Sequence, residues 1–434
     1  MEQLTLEYAE HLKNLVQQAE KADSQYQVFG ESSHRYQLYP VLSVQAVEAY
    51  EAKYNIQLPS EYKFFITHVG NGGAGPDYGI GPLDLNQPRT QEMMELPLIT
   101  SQLTQSQWEE ALQQDTGDCL RGTYVFGSKG CTFANLIVAN GPEENRVFYI
   151  NFEWDEEDPP YDTGMNFLTW YEGFFQEIVN GNNVTIYGYH ALGSEQQLMD
   201  WFYETTDKER QRKLLNSLFR FDELSPQACS FLRALSEEDF AGEKLSLMLH
   251  YLPQEGVFLL ERLLKTDPHI AIMELSQVPQ DQLPRFYDPL RGLLYTIENG
   301  SEGYPSARET ILYAMGRCPQ LSAGDLVEFL NQEGITDQEK WSVFIVLGDA
   351  RDKKRYLDLF IHAMQTESPR IARAAIEAVE TVCSPKLQSV LPELWERYQD
   401  ESAMKFHLER AFESNGMKLP KKKEIKTKKK KRMG

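Results

Sequence analysis

The segment Leu58-Pro59-Ser60-Glu61-Tyr62-Lys63-Phe64-Phe65-Ile66, followed at once by Val69-Gly70-Asn71-Gly72-Gly73, constrains this chain most, because it joins an apolar helix to an abrupt glycine-rich exit. Proline at the first helical position loses no intrahelical donor, and Tyr62, Phe65, Ile66 and Val69 then share one face at helical spacing. Gly72 and Gly73 end the helix, since glycine adopts positive φ without a steric cost. Ile80-Gly81-Pro82-Leu83 is expected to return as a short strand. Upstream, an amphipathic helix over residues 5 to 20 carries Leu6, Leu12 and Leu15, and Ser43 caps a second helix bearing Val44, Val47 and Tyr50.

Further along, Phe126-Gly127-Ser128-Lys129-Gly130-Cys131 leads into Leu136-Ile137-Val138, a turn at Asn140-Gly141-Pro142, and Arg146-Val147-Phe148-Tyr149-Ile150. This reads as strand, turn, strand, after a polar insertion around Leu96 to Gln114. Phe167, Trp170, Tyr171, Phe174, Phe175 and Ile178 form the apolar face of a closing helix. Helices followed by a mainly antiparallel sheet make an α+β domain. The Pro59 segment, the paired strands and Phe167-Leu168-Thr169-Trp170-Tyr171-Glu172 stand in the order found in the SUKH superfamily, which this region resembles over roughly residues 26 to 180. Its members include many bacterial toxin-immunity proteins and a fungal regulator of cell-wall synthesis.

At 434 residues the chain is too long for one ordinary core, and three segments are expected: an α+β domain at 1–190, a helical domain at 191–417 and a Lys-rich tail at 418–434. From Ser194 the strand signal gives way to recurring amphipathic helices, among them Leu198 to Tyr203, Val257 to Leu264, Trp341 to Leu347 and Ile371 to Val382. Pro369 to Val379 alternates small and apolar residues so that helices can approach closely, and resembles half of a HEAT-type repeat. Single helix pairs cannot bury their faces alone, so a helical-repeat stack is expected. The tail, with 10 Lys and Arg against 1 Glu, has no apolar periodicity and is expected to be a disordered, solvated segment.

The net charge of −22 is concentrated at the front: residues 1 to 190 hold 27 Asp and Glu against 9 Lys and Arg. Such a surface repels nucleic acid and speeds encounter with a basic partner. Contact of the basic tail with nucleic acid or an anionic surface is the less favoured reading of that run. The five cysteines are odd in number and lack paired spacing, which argues against a disulfide framework and a zinc site; Cys131 is expected to be a small buried residue. No signal-peptide pattern or membrane-spanning run is present, and a cytoplasmic protein is expected.

No catalytic residue, cofactor or metal set is expected. Asp155-Glu156-Glu157-Asp158, followed by Pro159-Pro160, reads as a solvated acidic loop rather than a cation site, and the eight histidines show no ligand spacing. His68 reads as a helix-terminal residue, and Gly70 to Pro76 as a structural turn, since it follows a helix and lacks the lysine of a phosphate cradle. Candidate partner contacts are Asp77 and Tyr78 after the glycines, and Trp154 with Asp155, Glu156, Glu157 and Asp158. The resemblance implies a non-catalytic immunity protein that binds a cognate toxin protein and blocks it, with no small-molecule substrate. Its fungal members imply the alternative, an intracellular scaffold or regulator.

Overall fold

The Thr5 side chain accepts the Tyr8 N–H and starts the first helix, α1 (Leu6–Ala22), whose Leu12, Leu15 and Val16 turn inward. The computed structural model describes residues 4–87, 95–113, 118–152, 158–297 and 306–420. The remainder of the Lys-rich tail from 421 lies outside the described residues. Two compact units are present, 1–234 and 235–434.

In the first unit, α1 is followed by α2 (Glu31–His34), α3 (Val44–Tyr54), α4 (Ser60–Phe64), α5 (Gln105–Gln113), strands β1 (Thr123–Gly130), β2 (Phe133–Val138), β3 (Arg146–Asn151) and β4 (Tyr161–Asn166), then α6 (Phe167–Val179), α7 (Glu195–Glu204), α8 (Lys208–Asn216) and α9 (Pro226–Ala234). The expected Ser43 cap of α3 is present. The Pro59 helix differs in detail. Pro59 is the cap rather than the first helical residue, and after α4 the chain widens into a π-turn at Phe65–Val69, with the Gly70 N–H reaching Phe65 O at 3.0 Å. The free N–H groups of its first turn are taken by the β2–β3 connection: Ser60 N–H by Glu144 and Glu61 N–H by Asn145 Oδ1. Glu61 in turn accepts the Leu168 N–H and caps α6. Tyr62, Phe65, Ile66 and Val69 are all buried, as the spacing requires.

The sheet is an antiparallel meander in the order β1-β2-β3-β4. Alternation divides its side chains between two cores. Tyr124, Phe126, Ile137, Val147 and Tyr149 belong to the core shared with α6 and α4, whereas Leu136, Val138, Phe148 and Ile150 pack with Ile99, Trp108 and Cys119. On the α6 side the Trp170 indole donates to Tyr149 Oη, Tyr149 donates to Tyr187 O, and Tyr187 donates to Trp170 O, so the aromatic core has its polar atoms satisfied. Ile80 does not form a named strand. It makes isolated bridges to Gly73 and Gly127, which lays the glycine segment along β1.

The first unit extends to 234, beyond the last strand, and within it a buried arginine ties α6 to the segment that follows. Arg220, 2% exposed, donates to Glu177 on α6, to Gly193 O and to Ser217 O. Cys131 corrects an expectation: it is exposed, with φ 49°, in a two-residue loop between Gly130 and Phe133.

Among the described residues the second unit is built of helices: α10 (Glu237–Tyr251), α11 (Pro253–Thr266), α12 (Pro268–Met273), α13 (Tyr287–Thr296), α14 (Ala307–Gly316), α15 (Ala323–Leu330), α16 (Asp337–Leu347), α17 (Leu357–Thr366), α18 (Pro369–Val379), α19 (Pro385–Tyr398) and α20 (Ser402–Ser414). Neighbours pair as α13/α14, α15/α16, α17/α18 and α19/α20, and α14, α16, α18 and α20 form a continuous row. Ile371, Ala372, Ala374, Ala375 and Ile376 are buried in that row, the small residues permitting close approach. Carboxylates link successive layers: the wholly buried Glu309 caps α14 through Ser306 and also accepts from Gln338 and Ser342 of α16. No helix among the described residues is long and apolar enough to cross a membrane.

Candidate functional site

The glycine segment builds the most structured surface of the first unit. Gly72 and Gly73 have φ of 92° and 99°, and a Cβ at Gly73 would come within 2.1 Å of Gln37 O. The chain therefore doubles back tightly, and Ile80 reaches β1. Across the sheet this creates one row of partners, Ile80, Gly127, Asn135, Tyr149 and Tyr161.

A register shift in β1 between Ser128 and Gly130 sets Lys129 apart from the regular ladder. Its ammonium lies 4.1 Å from the centre of the Tyr149 ring, 5.0 Å from that of Tyr189 and 3.9 Å from Asp77 Oδ2. Asn135, wholly buried, is the amide that approaches Asp77, although neither of its polar atoms completes a hydrogen bond of ordinary geometry. Burial raises the Asp77 pKa, against the pull of Lys129 and Asn135, and burial lowers that of Lys129. Asp77 is thus an internal strut rather than a free acidic contact.

Beside it lies a second buried group. Gly30, at φ 85°, allows the backbone to touch Asp77, where a Cβ would sit 1.9 Å from Asp77 O. Next in the chain, Glu31 is wholly buried; burial, then Asp23 and Asp77, push its pKa up to about 9. Its neighbour His34 donates from Nε2 to Gly75 O and accepts the Tyr36 N–H at Nδ1, a neutral tautomer consistent with a pKa lowered by burial.

These internal contacts hold an aromatic rim. Tyr78 is 47% exposed; its N–H donates to Ser128 O, and its ring lies against the α-carbon of Gly130, where a Cβ would come within 2.7 Å. Phe29, 55% exposed, meets Tyr78 edge-on at 5.4 Å. Phe133, 40% exposed, pairs with Gly130 across the hairpin. The arrangement can do one thing well: present rigid apolar area to another macromolecule at low entropic cost.

Of the residues expected from sequence, Tyr78 is on this rim and Asp77 is beneath it. Asp158 is exposed elsewhere in the chain's course, and Trp154, Asp155, Glu156 and Glu157 lie outside the described residues. The chain enters that segment from Phe152, whose N–H donates to Thr132 O at the hairpin loop. Phe29 and Phe133 escaped the sequence reading. The signal for Phe29 was its place before Gly30; Phe133 carried no signal beyond its hydrophobicity. His68 is half-buried, stacked on Phe64 and bonded to Thr67, a local structural role. Among the described residues no group of three or more His, Cys, Asp and Glu is placed to hold a metal ion.

The model of the SMI1 / KNR4 family (SUKH-1) matches residues 42–173, which therefore form a SUKH-1 domain within the longer chain. No curated protein and no solved structure matches. The matched segment holds Tyr78 and all four strands; α1, which completes the core against α6, and the helices from α7 onward lie outside it.

Proposed function

We propose that this chain is a cytoplasmic immunity protein whose first unit, which contains the SUKH-1 domain, binds a cognate bacterial toxin protein and blocks it stoichiometrically, without catalysis. The observation that carries the reading is the Phe29–Tyr78 pair, two large aromatic rings left in solvent yet pinned on tight backbone, the composition and rigidity of a binding hot spot. The charge of the front 190 residues, 27 acids against 9 bases, suits a basic partner such as a nuclease-type toxin. The finer choice of partner rests on the family resemblance.

Co-expression of the chain with toxins encoded beside its gene tests the proposal. Growth should be rescued and a complex recovered, and Phe29→Ala with Tyr78→Ala should remove both while the fold is kept. Neither rescue nor complex with any such toxin would overturn it. A second reading, a scaffold or regulator of the fungal kind, is favoured by the stacked helices of residues 235–414, which the family match does not include. Recovery of several native partners, bound through that helical unit and indifferent to the aromatic substitutions, would favour it.

A further inference from the structure

Within the first unit, β4, the 190–192 connection, α7 and α8 enclose a cleft of about 1010 Å³, at the upper end of the size of small-molecule sites, roughly 300–1,000 Å³. Its charges are unequal in availability. Arg146 is committed to Asp162 through two hydrogen bonds of 2.8 Å, and Asp207 caps α8 by accepting the Glu209 N–H. Arg210 and Lys213, three residues apart on one side of α8, make no ion pair among the described residues. The same cleft is lined by Leu192 and the half-buried Trp201.

Arg210, exposed, and Lys213, whose ammonium lies 5.2 Å from the centre of the Tyr161 ring, are two cations without a carboxylate partner among the described residues, on a cleft that an indole also lines, the recognition chemistry of a small dianion with a flat organic part. The unit's overall negative charge disfavours a polyanion, which would span far beyond the cleft, but a small ligand meets only the local field. We propose that this cleft binds a small phosphomonoester, its phosphate held by Arg210 and Lys213 and its aromatic part laid on Trp201. The site is separate from the Phe29–Tyr78 rim, and the residues given to the ligand, Trp201, Arg210 and Lys213, stand on helices outside the SUKH-1 match.

His190 supplies an internal reporter. It is 5% exposed and lines the cleft; burial first, then Arg220 and Lys213, hold its pKa down to about 4. Arg146, Asp162, Asp207 and Arg210 are the other charged groups lining the cleft. A phosphate between Lys213 and Arg210 would offset the cations and raise the His190 pKa.

Titration calorimetry on the full chain at low salt, with inorganic phosphate and adenosine monophosphate as probes, tests the assignment. Both should bind, the nucleotide more tightly, and Arg210→Ser with Lys213→Ser should weaken nucleotide binding by about tenfold or more, the loss expected for charged hydrogen bonds. Arg210→Ser alone, at an exposed position, should weaken it with the melting curve unchanged, which separates the site from a folding defect. The His190 ring signal should titrate at higher pH with nucleotide bound. Absence of binding by both probes, or affinity indifferent to either variant, would overturn the proposal; equal affinity for phosphate and nucleotide would overturn the role given to Trp201.

Discussion

Replacing Glu31 by Gln should change how stability depends on pH, and the sign follows from the burial of this carboxyl. Glu31 is wholly buried, neither oxygen accepts a hydrogen bond, and the nearby His34 Nε2, at 3.1 Å, gives its proton to Gly75 O. The folded state therefore keeps Glu31 protonated up to about pH 9, against an ordinary value of 4.5 for the unfolded chain. Between those values the folded state binds one more proton than the unfolded state, so this contribution is fully present below pH 4.5 and is lost as pH rises toward 9. The slope is about 1.4 kcal/mol per pH unit, or roughly 3 kcal/mol from pH 6.5 to 8.5, as an upper bound. Glutamine keeps the shape of the neutral acid and cannot ionise.

Native-state hydrogen exchange at amides of β2 and α6 reads the opening free energy of this unit alone, free of the two-unit complication. At each pH the intrinsic exchange rates of those amides are the same in both proteins, so the ratio of measured rates gives the stability difference. The advantage of Glu31→Gln should grow about tenfold in that ratio per pH unit over the window. His34 works in the opposite sense, its lowered pKa costing stability as pH falls below 6.5, and leaves the range above pH 7 to Glu31. A ratio that stays constant from pH 7 to 8.5 would refute the reasoning.

Other substitutions probe the supports of the same unit and its neighbour. Arg220→Ala leaves Glu177 buried without its partner and should destabilise the first unit by about 3–5 kcal/mol in urea unfolding, whereas Arg220→Met with Glu177→Leu should recover much of that loss. Gly73→Ala forces a Cβ to 2.1 Å from Gln37 O at a φ of 99°; soluble yield and melting temperature should fall, by at least ~2 kcal/mol in stability. Thr336→Ala removes the capping box of α16 and should cost about 1 kcal/mol in the second unit alone, read by exchange at α16 and α18 with α6 unchanged.

What the sequence exposed and what it concealed divide along the range of the interaction concerned. The helix faces and the strands β1 to β3 carry their own periodicity, and the closing helix α6 buries all six of the aromatic and aliphatic residues its spacing selects. Strand β4, Tyr161-Asp-Thr-Gly-Met-Asn, buries only Thr163 and shows no alternation; it joins the sheet through Tyr149 and the Arg146–Asp162 pair, partners on another strand. Cys131 misled because a glycine before a small apolar residue suits a strand start, while here positive φ at Gly130 and Cys131 turns a hairpin.

The same division explains the site. Tyr78 was legible as an aromatic residue after a glycine exit, but Asp77 beside it reads in sequence as one more surface acid. Its inward role depends on Lys129, which a register shift removes from the ladder, and on Tyr149 and Tyr189, which supply a ring cage for the ammonium. Lys129 is one of only nine Lys and Arg among the first 190 residues, so a lone lysine between Ser128 and Gly130 was the available hint. A half-buried charged pair of this kind contributes little net stability, because desolvation opposes its attraction. Its consequence is positional: Asp77 meets Gly30 at one end and Lys129 at the other, and Phe29 and Tyr78, each next in sequence to one of the touching residues, stand exposed against each other. If the proposed rim is the contact surface, Lys129→Met, by releasing Asp77, should slow or weaken partner binding while leaving the rim residues themselves intact.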